Sequence, residues 1–146
     1  MSIHRPQPEA ASRPAIVLDT NVFVGAGFNP RSACARVLAL VRDGAVRLVW
    51  DDATHNETTH IVGRIPPLAG TRVLDVFRAE DRFTGETRPE AFALVPDPDD
   101  RKFAALASAT GATLLTLDAH LLVARYDAGV AIHTPREFLA RIGDPA

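Results

Sequence analysis

The chain has 146 residues, 47% hydrophobic and 23% charged, with a formal net charge of −2. That balance suits one globular domain with its own core and excludes both a disordered polar chain and a disulfide-stapled miniature, since Cys34 is the only cysteine. No apolar run approaches the roughly 20 residues that cross a bilayer, so no membrane association is expected.

The slight negative charge neither advertises nor forbids a nucleic-acid partner. A lone cysteine suits a reducing, cytoplasmic setting, and Cys34 reads as a small buried hydrophobe on a helix. Residues 1–14 carry His4, Arg5, Pro6, Pro8, Glu9, Arg13 and Pro14 without the apolar stretch of a signal peptide. They are expected to form a disordered leader, followed by one domain over residues 15–142.

Short apolar runs then alternate with amphipathic stretches, the pattern of a parallel sheet covered by helices on both faces. The first run, Ala15-Ile16-Val17-Leu18, is continuous, as a strand buried on both faces should be, and ends at Asp19. Gly25, Gly27, Asn29 and Pro30 mark a loop. Ser32 is the expected N-cap of a helix through Arg42, with Ala33, Val37, Leu40 and Val41 inward and Gly44 as its stop. Residues 46–50 read as a second strand. Asp52 or Thr54 is the expected cap of the next helix, which carries Glu57, Ile61 and Ile65 and ends at Pro66-Pro67.

A further helix is expected over 68–83 and a third strand over 91–95. Asp97-Pro98-Asp99-Asp100 reads as a turn into a helix over about 99–110, with Gly111 as its C′ residue. A fourth strand over 113–117 ends at Asp118, and a short helix over 119–124 follows. A fifth strand over 130–133 precedes a last helix opened by Pro135 and running through Arg141.

Asp19 and Asp118 each directly follow a continuous apolar strand, and the carboxyl ends of strands are where open α/β sheets gather ligands. Asp100 starts a helix after another strand, and Glu57 lies in the first turns of a helix after the second. Singly, each acid also suits a bland role: a turn or cap for Asp19 and Asp118, a dipole-favoured first-turn acid for Asp100, a surface glutamate for Glu57. Jointly, carboxylates converging on one edge repel each other unless something neutralises them. A divalent cation does so, and hard oxygen ligands select Mg²⁺ or Mn²⁺ over zinc. Such an ion activates water and stabilises charge at a scissile phosphate.

Four short motifs in order resemble the PIN-domain nucleases. Asp19-Thr20-Asn21-Val22 after a buried strand resembles their opening motif. Asp97-Pro98-Asp99-Asp100-Arg101-Lys102-Phe103 with Ala107 resembles the third, and Leu114-Leu115-Thr116-Leu117-Asp118 with Leu121-Leu122 the fourth. His133-Thr134-Pro135-Arg136-Glu137-Phe138-Leu139 resembles the tail of the toxin subgroup of toxin–antitoxin systems. The segment around Glu57 is the least distinct.

The resemblance implies a three-layer α/β/α sandwich with a five-stranded parallel sheet. It implies Asp19, Glu57, Asp100 and Asp118 as metal-binding catalytic acids, with Asn21 positioning Asp19 or a bound water and Thr116 hydrogen-bonding near the metal edge. Asp97 and Asp99 are alternatives for the third acid; Asp100 is preferred for its spacing to Phe103 and Ala107, and Asp99 is a candidate cap. The implied activity is metal-dependent hydrolysis of single-stranded RNA without a covalent intermediate, with a small antitoxin protein as partner and a homodimer as assembly.

The chain departs from the family where a further acid often follows the fourth motif, for Ala119-His120 stands there. That motivates the alternative of a catalytically silent PIN-like module that binds RNA or protein. His55 and His60, which flank Glu57, read as surface residues. Phosphotransfer folds fit worse. A haloacid-dehalogenase-like phosphatase needs an Asp where Asn21 stands, and a response-regulator receiver needs a lysine after a late strand, whereas Lys102 is the only one. No G-x-G-x-x-G follows the first strand, which argues against dinucleotide binding.

Overall fold

The computed structural model describes residues 13–144. Four parallel strands form one sheet in the order β2-β1-β3-β4: β1 (Ala15–Leu18), β2 (Arg47–Leu48), β3 (Thr113–Leu115) and β4 (Ile132–His133). Among the described residues, six α-helices accompany them: α1 (Thr20–Phe28), α2 (Ala33–Arg42), α3 (Asp52–Gly63), α4 (Arg101–Thr110), α5 (Ala119–Ala124) and α6 (Pro135–Ile142). None is long and apolar enough to cross a membrane.

Alternate residues of each strand feed two cores. Ile16, Leu18, Leu48 and Leu115 pack with α1, α2 and α6 on one face. Val17, Val49, Leu114 and Ile132 pack with α4 and α5 on the other. Both faces of β1 and β3 are therefore dry, which explains the continuous apolar runs. Sealing the polar backbone between two apolar layers leaves the strand ends as the places where charge can stand.

The sheet has four strands rather than five. The expected strand over 91–95 is a 3₁₀ turn, Pro89–Phe92, leading into the stretch before Asp97. Phe92 and Val95 are buried, so the apolar signal was real, but they plug the second core without joining the ladder. The helix expected over 68–83 is likewise absent. Val73 and Val76 are buried in turns, flanked by the 3₁₀ turns Pro66–Leu68 and Ala79–Asp81. Helical spacing of apolar residues and irregular packing against a core are hard to tell apart in so short a run.

Of the residues expected to mark a loop, Gly25 and Gly27 lie in helix α1, while Asn29 and Pro30 stand in the connection to α2. The two glycines are tight packing points: a Cβ on Gly27 would fall 2.5 Å from Leu68 Cδ2, and one on Gly25 3.1 Å from Cys34 Sγ. Cys34 is buried and unpaired. Other local expectations hold. Ser32 caps α2 by accepting from the Ala35 N–H, Gly111 takes a left-handed φ of 74° after α4, and Pro135 opens α6. The cap of α3 is Asp51, one residue before the expected Asp52, in a reciprocal capping box with Thr54. Of the expected leader, residues 1–12 lie outside the described region. Of its last two residues, Arg13 donates to Gly44 O, and Pro14 O accepts from the Arg47 N–H.

Candidate active site at the carboxyl ends of the central strands

The β1–β3 ladder continues to the site itself. The Asp19 N–H donates to Leu115 O at 3.0 Å, and the Thr116 N–H to His133 O at 3.0 Å. Asp19, 5% exposed, is thus fixed at the end of β1 with Thr116, fully buried, beside it at the end of β3. The Thr116 hydroxyl donates to Asp19 Oδ2 at 2.7 Å and accepts from the Asp118 N–H at 2.9 Å. One buried hydroxyl therefore sets both acids. Asp19 stands at the N-cap of α1 but makes no capping bond with its side chain. Asp118 does cap, its Oδ1 accepting from the His120 and Leu121 N–H groups at the start of α5. Asn21 Oδ1 accepts from the Leu117 N–H at 3.2 Å, tying α1 to the exit of β3.

Glu57 reaches the same region from α3. A buried hydroxyl pair, Thr20 and Thr58 at 2.8 Å, clamps α3 to α1 one residue away from it. Its Oε1 accepts from Lys102 Nζ in the first turn of α4 at 2.5 Å. Neither the Thr20–Thr58 clamp nor Lys102 as the partner of Glu57 was signalled by motif spacing. That Lys102 is the only lysine, two residues after Asp100, was the one available hint.

Asp100, half-buried, stands where the 3₁₀ turn Pro98–Asp100 runs into α4. Asp97 supplies the turn's cap, accepting from the Asp99 N–H, while Asp99 is exposed and caps nothing. His120 is exposed, and His60 is exposed beside Arg64. His55 packs its ring against Trp50 and Phe77.

The electrostatics bind these positions into one site. Burial pushes the Asp19 carboxyl up to about 6; the charges of Asp118 and Glu57 add to this, while the Thr116 hydroxyl and the Thr20 backbone pull against it. Asp100 is pushed up to about 7, first by burial and then by the charges of Asp19, Asp97, Asp118 and Glu57. The four expected acids thus share one field, with Asp97 at its margin. Every ligand atom they offer is a hard oxygen, the donor chemistry of Mg²⁺ or Mn²⁺. The spacing is looser than the chemistry: among the described residues, no three of His, Cys, Asp and Glu stand close enough to hold an ion as they lie.

Comparison with known proteins bears on the same segment. A family model described as a PIN domain matches residues 15–120. No curated protein sequence matches significantly. Among solved structures, PAE2754 from Pyrobaculum aerophilum is similar, with a TM-score of 0.57, 17% identity and 90% of each chain covered. FitAcB from Neisseria gonorrhoeae is similar too, with a TM-score of 0.54 and 22% identity, covering 83% of this chain and 98% of that one. The structural likenesses show the fold, and the family model spans both central strands and the acidic edge between them: the chain belongs to the PIN-domain family.

Proposed function

We propose that the chain is a metal-dependent ribonuclease that cuts single-stranded RNA at the edge carrying Asp19, Glu57, Asp100 and Asp118. The observation that carries this reading is Asp19 and Asp118 set side by side by one buried hydroxyl, with Asp100 and Glu57 in the same field, so that burial first and like charge second raise Asp19 to about 6 and Asp100 to about 7. Carboxylates held in mutual repulsion are poised for a cation, and such strained titration clusters at functional sites. Family membership supports nuclease chemistry in general; the choice of metal and of RNA is part of the proposal.

Asp19, Asp100 and Asp118 would hold the ion, with Glu57 as the fourth acid and Lys102 its counter-charge when no cation is present. A bound Mg²⁺ or Mn²⁺ supplies water activation and neutralises charge at the scissile phosphate. The protein's own part is positional. Thr116 orients the Asp19 carboxylate through Oδ2 and holds the Asp118 backbone. Asn21 fixes the Leu117 backbone between them. The buried Thr20–Thr58 clamp sets the approach of Glu57. A small antitoxin partner and a homodimer belong to the proposal through the family resemblance.

A second reading, a catalytically silent RNA- or protein-binding module, is favoured by one observation. The acids are not gathered to ligand distance, and Glu57 is already paired with Lys102. The two readings separate in one assay. Cleavage of a mixed-sequence single-stranded RNA by the purified chain, dependent on Mn²⁺ or Mg²⁺ and abolished by EDTA, supports the nuclease. Metal binding without cleavage supports the silent module.

A further inference from the structure

We propose that the groove between α2 and α6 is a binding track for the single strand of nucleic acid flanking the cut, with Arg31 and Arg136 each holding a phosphate. This rests on the nuclease reading above and extends it to the path of the substrate.

Two concavities make the groove. One, of about 640 Å³, is bordered by Arg31, Arg36, Arg136 and Asp144. The other, of about 450 Å³, is bordered by Gly25, Cys34, Leu117 and Pro135. Both include Ser32, Ala33 and Arg136, so they lie side by side along the same face. Its inner end is Leu117, 49% exposed, whose chain neighbours are Thr116 and Asp118 of the acidic edge. A strand lying in the groove therefore arrives at the candidate site.

Charge selects the occupant. Arg36 is spoken for, its Nε and Nη2 donating to the two oxygens of Asp144 at 3.0 and 2.9 Å. Arg31 and Arg136 are exposed, and among the described residues neither guanidinium has a hydrogen bond or ion pair within the protein. Arg42, Arg47, Arg72, Arg78, Arg82 and Arg125 have protein acceptors, and Arg88 and Arg141, which have none among the described residues, border neither concavity. Two uncommitted guanidiniums on one groove, in a chain of net negative charge, match a polyanion with spaced phosphates. The starts of α2 and α6 border the same groove, and their dipoles add favourably to an anion there. Between the arginines and the acids the wall is apolar, giving a splayed base a surface to lie on.

The test is fluorescence anisotropy of a labelled single-stranded RNA of roughly 12 nucleotides, within the usual span of such tracks, titrated in EDTA across a salt series. The wild-type chain is compared with the exposed double variant Arg31→Ala/Arg136→Ala. The variant is expected to bind about tenfold more weakly at low salt, with the log–log salt slope reduced by about 1.4, or about 0.7 for each phosphate no longer held. With Mn²⁺, its kcat/KM should fall further for the long RNA than for a trinucleotide, which offers fewer phosphates to the track.

Unchanged affinity and slope would overturn the track, as would an equal loss on the trinucleotide and the long RNA. Arginine-dependent binding of polyglutamate, with none of RNA, would overturn it in favour of an acidic protein partner. If the wild type cuts neither RNA but binding still loses its salt slope in the variant, the nuclease reading fails and the track stands.

Discussion

The hydroxyl of Thr116, buried at the end of β3, donates a 2.7 Å hydrogen bond to Asp19 Oδ2 at the end of β1 and accepts from the Asp118 N–H. Thr116→Val keeps the shape and removes both bonds. It leaves the Asp118 N–H without that partner, and it removes the hydrogen bond that holds the Asp19 carboxyl down. The variant should lose about 1–3 kcal/mol of stability, the cost of an unpaired buried polar group. It should also bind Mn²⁺ more weakly, because Asp19 becomes harder to ionise. Chemical denaturation and calorimetric metal titration check the two effects separately.

Asp19→Asn should abolish cleavage while raising stability at neutral pH in EDTA. The shift from 3.8 to about 6 in a 5% exposed carboxyl means that ionising it in the fold works against folding. The amide carries no charge, and its oxygen can still accept from Thr116. A gain of about 1–3 kcal/mol at pH 7.5 is expected, read from denaturant midpoints. A loss of stability there would contradict the role assigned to burial and repulsion.

The same groups set a pH dependence. A carboxyl whose folded pKa lies above its unfolded value is stabilising while protonated. That contribution is complete below about 4 and is lost as pH rises through about 6 for Asp19 and about 7 for Asp100. Asp52, held down by Arg82, and Glu137, held down by the Thr134 backbone and by Arg125, act the opposite way, but only below the usual carboxylate range. In EDTA, the acidic site should therefore weaken the fold between pH 5 and pH 7.5. Mn²⁺ should offset this at the upper end, because a cation binds the ionised acids. Thermal melts at both pH values, with and without metal, give the comparison.

Lys102→Met should destabilise the metal-free protein more than the metal-bound one. The ammonium is the partner of Glu57, and both side chains are largely shielded, 24% and 19% exposed. Removing one member of such a pair leaves the other charge uncompensated, at a cost of about 1–3 kcal/mol in EDTA. The difference between wild type and variant should shrink when Mn²⁺ is added. A difference that does not depend on metal would separate Lys102 from the site.

Much of this architecture was readable in the residues, for identifiable reasons. Asp19 directly follows a strand that must be apolar on both faces, so the polar break there is abrupt and marks the strand end; the strand before Asp118 stops earlier, at Leu115, and Leu117 is exposed beyond it. Ser32, Gly111 and Pro135 announce helix ends because each has a local stereochemical reason to stand there. The failures have causes as definite. Helix α1 was hidden because Gly25 and Gly27 normally signal a loop, and here they let Cys34 and Leu68 pack close. The segment between Pro66 and Val95 buries Val73, Val76, Phe92 and Val95 in turns, where no period distinguishes packing from helix or strand. At the site, the motifs singled out the acids and Thr116, but not which group each would meet. The Thr116–Asp19, Thr20–Thr58 and Lys102–Glu57 contacts join positions 97, 38 and 45 residues apart, and only the fold brings them together.

The proposed site requires these acids to repel one another until a divalent cation relieves them. It is tested most directly by following the carboxyl carbons of Asp19 and Asp100 by NMR across pH, first in EDTA and then with Mg²⁺. Midpoints near 6 for Asp19 and near 7 for Asp100 are expected without metal, moving down into the ordinary carboxylate range or below when Mg²⁺ is present. Both acids titrating near about 4 in EDTA, with no response to Mg²⁺, would contradict it.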